Sequence, residues 1–299
     1  MADSDPYFLP EEPSNPYAPP EASLRSDLPT FYGQDRLEPF SPGAAVSRAW
    51  RIFKANPGLI LGVVWSVQVV SFLYQLVGSG INAAVATQAP GPVVEGLLTF
   101  SIAIIGLVIQ LWLAVGQTLV LVNAAYERPT SLNDIVSGGP FFWPYVWGTI
   151  LYVLVIAGLA VAIFLPLGLI VGLVGFDPKN PSGAGVIVIA VGGLIAFVGL
   201  IYLSLRLYLY QFLIVDRGMS GSQALSASYQ ITKGHEMNLL GTGLLAGLIG
   251  LSGILACGVG LLVTVPLAAF IFSCAYVLIA SEAWGTQGSN DKLEPELLL

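Results

Sequence analysis

The chain has 299 residues, of which 55% are hydrophobic and only 10% charged, where an ordinary soluble domain carries about 25% charge. With a mean hydropathy of +0.79, this excludes a disordered chain, a disulfide scaffold and a free-standing soluble enzyme, and leaves a polytopic membrane protein. The formal net charge of −7 offers no basic footprint for nucleic acid.

Residues 1–40 hold eight acids, two bases and eight prolines, so most of the negative charge belongs to this segment. It lacks the apolar material that would offset the entropy of ordering, and we expect a disordered acidic tail, locally polyproline II around Asn15–Pro20. It is either a solvated leader or a ligand for a proline-recognising partner. No secretory signal is expected in it, because an apolar core is missing.

A short amphipathic helix follows, capped by Ser41 with Pro42 at its first position. Val46, Ala49, Trp50 and Phe53 make its apolar face, and Arg48, Arg51 and Lys54 lie off it, as expected of a helix lying on a membrane surface. Two spans come next, Pro57–Val77 and Val93–Ala125, each long enough for the 20 or so residues that a bilayer core requires. A second short stretch begins at Thr130 or Ser131 and is interrupted by Gly138, Gly139 and Pro140. Spans Trp147–Val174 and Ala184–Val215 follow it. The third short helix starts at Ser220, with Gln223 at capping-box spacing and Ala224, Leu225, Ser228 and Ile231 on one side. Spans Asn238–Cys257 and Leu261–Ala280 complete the series, with residues 284–299 as a short tail.

The three capping serines recur at intervals of about 90 residues, which points to an internal repeat. The expected fold is an all-α membrane domain over 41–283, with six transmembrane helices as three parallel repeats (41–129, 130–218, 219–283) of an interfacial amphipathic helix plus a transmembrane hairpin. Arg48, Arg51, Lys54, Arg128, Arg217, Lys233 and Lys292 flank one side and Lys179 alone the other. Positively charged loops stay in the cytoplasm, so both termini are expected there, in a cell inner (plasma) membrane. The hairpin loops near 89–92, 177–182 and 258–260 then face outward.

Polar side chains inside spans mark packing contacts or hydrated paths. Gln68, Ser71, Gln75 and Gly78 share one face of the first span, and Gly106, Gln110 and Gln117 one face of the second; both stripes are expected to face away from lipid. They either hydrogen-bond between helices, the default use of such residues, or line a polar route. Arg206 is the one charge deep in an apolar run, with Tyr202 and Tyr210 on its face at i−4 and i+4. The three form either an anionic-headgroup site or an interfacial anchor that snorkels to water. Gly168 with Gly172, and Gly243 with Gly247, have spacing suited to close helix packing. His235 is the sole histidine and, beside Glu236, does not make a metal site. Cys257 and Cys274 sit in apolar stretches as small hydrophobes. No catalytic grouping or cofactor motif is present to support an enzyme, and no cofactor is expected.

The stretch Phe212–Gly234, and in it Asp216, Ala224, Leu225, Ser228, Tyr229, Thr232, Lys233 and Gly234, resembles a recurring element of uncharacterised bacterial integral membrane proteins. These are related to the membrane domain attached to some glycerophosphodiester phosphodiesterases and to YciC-like envelope proteins. The resemblance implies an all-helical inner-membrane domain over residues 41 to 283. It does not bring the phosphodiesterase activity, whose separate catalytic domain has no counterpart here. A non-enzymatic protein of membrane organisation or envelope interaction, contacting membrane lipids, is the expectation. The alternative is a transporter or lipid-handling protein with Gln68, Gln75, Gln110, Gln117 and Arg206 along its route.

Overall fold

A computed structural model describes residues 39–87, 91–173, 183–255 and 258–285. The readings made for the acidic tail, the 177–182 loop, Cys257 and the last residues lie outside these. Every described element is helical: α1 (Pro42–Ala55), α2 (Pro57–Ala86), α3 (Pro92–Ala125), a 3-10 segment (Leu132–Phe141), α4 (Phe142–Leu173), α5 (Gly183–Leu207), α6 (Tyr210–Arg217), α7 (Gly221–Ile231), α8 (Glu236–Leu255) and α9 (Leu261–Gly285). Six stretches are long and apolar enough to cross a membrane, which makes this a multi-pass membrane architecture. Phe72, Val93, Leu97, Leu154, Leu169, Ile187, Leu194 and Leu248 stand exposed along them, an apolar surface far larger than water tolerates.

Local chemistry accounts for the short elements. The Ser41 hydroxyl accepts from the Ala44 N–H at 3.1 Å, and Pro42 at the first position has no N–H to satisfy. The Asp134 carboxylate accepts from the Ser131 N–H at 2.8 Å. Gly138, Gly139 and Pro140 then keep the middle segment in 3-10 form, since they are the poorest α-formers. Gln223 Oε1 accepts from the Ser220 N–H at 3.2 Å and from its hydroxyl at 2.9 Å.

Three departures from the sequence reading have physical causes. The buried face of α1 is Ala45, Ala49, Ile52 and Phe53; small alanines let α1 approach α9, and Trp50 is turned outward, 46% exposed. The fourth span is broken at Tyr208-Leu209 into α5 and α6. There the Arg206 carbonyl, which would bond Tyr210 in a continuous helix, instead accepts from the hydroxyls of Ser228 at 2.7 Å and Thr232 at 3.3 Å. A Cβ added at Gly168, Gly172 or Gly247 would meet nothing within 4 Å, and one at Gly243 would make only ordinary contacts. These glycines therefore do not bring helices together within this chain.

The long helices pair as hairpins, α2 with α3, α4 with α5 and α8 with α9. Helix α9 is central: Phe270, Ile271, Cys274, Ala275, Tyr276 and Val277 through Ala280 are all buried, against α1, α2, α3 and α8. Each short element packs on a hairpin other than the one it leads into: the 3-10 segment on α3, α7 on α4, and α1 on α8 and α9. Glycines permit the close approaches. A Cβ at Gly116 would lie 1.7 Å from the Ile135 carbonyl oxygen, and one at Gly221 would lie 2.4 Å from the Gly148 nitrogen, distances no side chain can occupy.

Candidate functional site

The polar side chains of the helical body gather at the ends where the short elements sit, in two nodes. The first is Arg206, 5% exposed. Its guanidinium donates to the Tyr202 hydroxyl at 2.9 Å and to the Tyr229 carbonyl at 2.8 Å. It lies 3.7 Å from Glu236 Oε1 and 3.7 Å over the Tyr229 ring, with the Tyr202 ring at 5.6 Å. The pairing with Tyr202 follows from the i−4 spacing. The expected second aromatic, Tyr210, is elsewhere, because the break at 208–209 takes it off the face of Arg206. Its hydroxyl lies 3.0 Å from Thr149 Oγ1, and its ring contacts Tyr145 and Tyr152. Tyr229 from α7 takes the place assigned to it. Arg206 thus meets neighbours from its own helix, α7 and α8, with one Nε left unbonded.

Asp216, whose side chain is 3% exposed, is the second node. Its carboxylate accepts from the Tyr276 hydroxyl at 2.8 Å, the Tyr126 hydroxyl at 3.2 Å and Arg128 Nη1 at 3.2 Å. Arg217 Nε is 3.4 Å away, and that guanidinium lies 4.3 Å over the Trp284 ring. Arg128 in turn lies 4.1 Å over the Tyr126 ring. Burial, and after it the Asp216 charge, push the Tyr126 phenol well above its ordinary pKa, so it remains a donor to the carboxylate. One carboxylate thereby ties together α3, the linker behind it, α6 and α9.

The sequence reading missed Asp216 as a centre, although a signal existed. Glu127-Arg128 and Asp216-Arg217 stand at the same distance before Ser131 and Ser220. Glu127 accepts from Arg51 at 3.0 Å and lies 3.5 Å from Arg48. It also has a left-handed backbone, φ 58°, uncommon for a residue with a side chain. Arg48 donates to the Ala125 carbonyl at 2.8 Å, closing α1 onto the end of α3.

The glutamines belong to a different region. Gln75 and Gln110 share a groove of about 250 Å³ between α2 and α3 with Ser71, Tyr74 and Gly106. Gln68 is exposed on α2 and Gln117 half-buried on α3. Gln68, Gln75 and Gln110 are exposed at the surface of this hairpin, while Gly78 and Gly106 of the same stripes lie against Ile102 and Tyr74 across the α2–α3 seam. The Arg206 node rests on α5, α7 and α8, so the proposed route from the glutamines to Arg206 is not assembled. Among the described residues no three His, Cys, Asp or Glu side chains are grouped to hold a metal ion. Cys274 is a buried free thiol.

The residues singled out in Phe212–Gly234 converge on these nodes. Asp216 is the second node itself, and Ala224, Leu225 and Ser228 form the buried face of α7. Ser228 and Thr232 hold the Arg206 carbonyl, Tyr229 covers the guanidinium, and Gly234 turns the chain with φ 87°. No curated protein and no solved structure matches the chain. A family model described as a domain of unknown function, DUF7847, matches residues 43–284, the helical body from α1 through α9, and the chain belongs to that family.

Proposed function

We propose that the protein is a non-enzymatic membrane-organising or envelope-interaction component, with its short helices at the cytoplasmic leaflet and three hairpins crossing an inner (plasma) membrane. The observation that carries this is where the buried polar groups go. Arg206 and Asp216 bond to neighbouring helices of the same chain, and among the described residues neither lines the groove that holds Gln75 and Gln110, so these two charges serve to hold elements together. A threefold repeat accompanies the reading. The first residues of the three short elements, Pro42, Leu132 and Gly221, each meet a glycine in the first helix of another hairpin, Gly241, Gly62 and Gly148. Going round, each short element seats on the hairpin before it, and α1 closes the circle on the last. Such cyclic seating is what a triplicated unit produces when every copy uses the same contact.

The test is reconstitution into sealed vesicles. An organising role predicts no solute efflux and no lipid scrambling above protein-free vesicles. Flux that disappears in a Gln75→Leu/Gln110→Leu double variant would establish the transport alternative instead. Orientation is tested separately: Ser222→Cys, on exposed α7, should resist an impermeant thiol reagent added to intact cells, and Val259→Cys, in the turn before α9, should react. The reverse pattern would turn the protein over.

A further inference from the structure

A cleft of about 510 Å³ opens where α1 passes into α2 and α3 into its linker, within the range of volumes that small ligands use. Its lining divides by chemistry. Arg51, Asn56, Glu127, Arg128 and Thr130 are its polar lining and Ala55 and Leu59 its accessible apolar lining, with Ile52, Ile60 and Ala124 belonging to the buried core. We propose that this cleft binds the phosphate headgroup of an anionic membrane lipid, with exposed Arg51 taking the phosphate, Arg128 adding its charge beside it, and Leu59 taking the start of an acyl chain. The inference deepens the reading that the short helices lie at the leaflet surface, and rests on it.

Two observations on the polar side point to a ligand. The Arg51 side chain is 66% exposed, and it spends only one contact, on Glu127; a guanidinium has five N–H donors in a fork that matches phosphate oxygens. The Asn56 side chain makes no capping bond to α2. The charges facing the cleft favour an anion. Glu127 is shared between Arg48 and Arg51, and Asp216 between Arg128 and Arg217. Asp134 is occupied by the Ser131 N–H and the Thr130 hydroxyl. Of these only Arg51, Arg128 and Glu127 line the cleft, two guanidiniums to one carboxylate, with Lys54 nearby over Trp50 at 5.7 Å.

The apolar side selects a lipid over a free anion. Ile52 and Ile60 are already packed in the core, but half-buried Leu59 and exposed Ala55 also line the cleft, an apolar edge that inorganic phosphate would leave uncovered and an amphiphile covers. The level is also right: exposed Trp50 and Lys54 lie next to Arg51 on α1, and an aromatic ring with a cation is what helices place at the headgroup boundary. The left-handed backbone at Glu127 fits a ligand rim, since strained residues persist where function holds them.

The test uses the full chain, purified in mild detergent and exposed to phosphatidylglycerol or phosphatidylcholine, with retained lipid counted by native mass spectrometry. Phosphatidylglycerol should be held about tenfold better than phosphatidylcholine. Arg51→Glu should lower that retention by about tenfold, with Arg51→Lys falling between the two. Both change an exposed residue, and the elution profile reports that they fold. Asn56→Ala should weaken retention by about threefold. Lys233→Glu, an equally exposed cation beyond α7, should leave it unchanged. Equal losses in Arg51→Glu and Lys233→Glu, or equal retention of both lipids, would overturn the cleft. Displacement of the lipid by millimolar inorganic phosphate would make the site one for a soluble anion and refute the lipid. None of these results depends on the vesicle flux experiment, so either inference can fail without the other.

Discussion

Asp216→Ala is the change from which the helical body should suffer most per atom removed. The carboxylate is 3% exposed and accepts from Tyr276, Tyr126 and Arg128 at 2.8, 3.2 and 3.2 Å. Deleting it leaves two phenols and a guanidinium facing a space that water reaches poorly. Removing one partner of a buried ion pair costs about 3–5 kcal/mol. The Arg128 side chain is 27% exposed and recovers some hydration, so about 3 kcal/mol is the expected loss. For a chain of this size that corresponds to a melting midpoint lower by roughly 6–12 °C, measurable by intrinsic fluorescence in detergent. Asp216→Asn keeps an oxygen for the phenols while removing the charge, and should lose about half as much. Glu127→Ala supplies the comparison, since its side chain is 51% exposed and exposed pairs contribute at most about 1 kcal/mol. If Asp216→Ala and Glu127→Ala shift the midpoint equally, the view of Asp216 as the tie between α3, α6 and α9 is wrong.

The same assay tests the packing. Gly116→Ala puts a methyl 1.7 Å from the Ile135 carbonyl oxygen and should cost at least about 2 kcal/mol. Gly158→Ala, with nothing within 4 Å, should stabilise α4 by up to about 1 kcal/mol through helix propensity; a loss as large as that at Gly116 would contradict the assigned contacts. The double change Ser228→Ala/Thr232→Val removes both hydroxyls from the Arg206 carbonyl and should cost about 1–3 kcal/mol. A neutral result would show that the break at 208–209 does not depend on them.

Hydropathy and caps made most of the helices legible, because a bilayer demands long apolar runs and Ser41, Ser131 and Ser220 announce their starts. What stayed hidden was set by residues distant in the chain. The end of α5 is fixed by hydroxyls 22 and 26 residues later, which no local pattern reports. Once the helix breaks there, extending the i, i+4, i+8 face from Tyr202 through Arg206 to Tyr210 fails, and the second ring over the guanidinium comes from Tyr229. On α1, Trp50 counted as apolar by type, yet alanines 45 and 49 set the approach to α9 and turned the indole outward. The glutamine stripes were real as periodicities. Their glycines lie on the α2–α3 seam, while nothing in α2 or α3 says whether another hairpin will cover the exposed glutamines beside it.

That division bears on where function can reside. In a chain with so few charges, Arg206, Ser228 and Thr232 are spent on neighbouring side chains and backbone, and Asp216 on Tyr126, Tyr276 and Arg128. The accessible polar groups with bonding capacity to spare include Arg51 and Asn56 at the end of α1 and Gln75 and Gln110 on the hairpin wall, whereas the unbonded Nε of Arg206 is buried. A buried arginine already bonded to its neighbours through both terminal nitrogens has little to offer a partner, because contacts made there must first break old ones. An exposed guanidinium such as Arg51, with one protein contact, can bond a phosphate without leaving a set of buried partners. Selective binding by this protein should accordingly follow substitutions at Arg51, while substitutions at Arg206 and Asp216 should register first as lost stability.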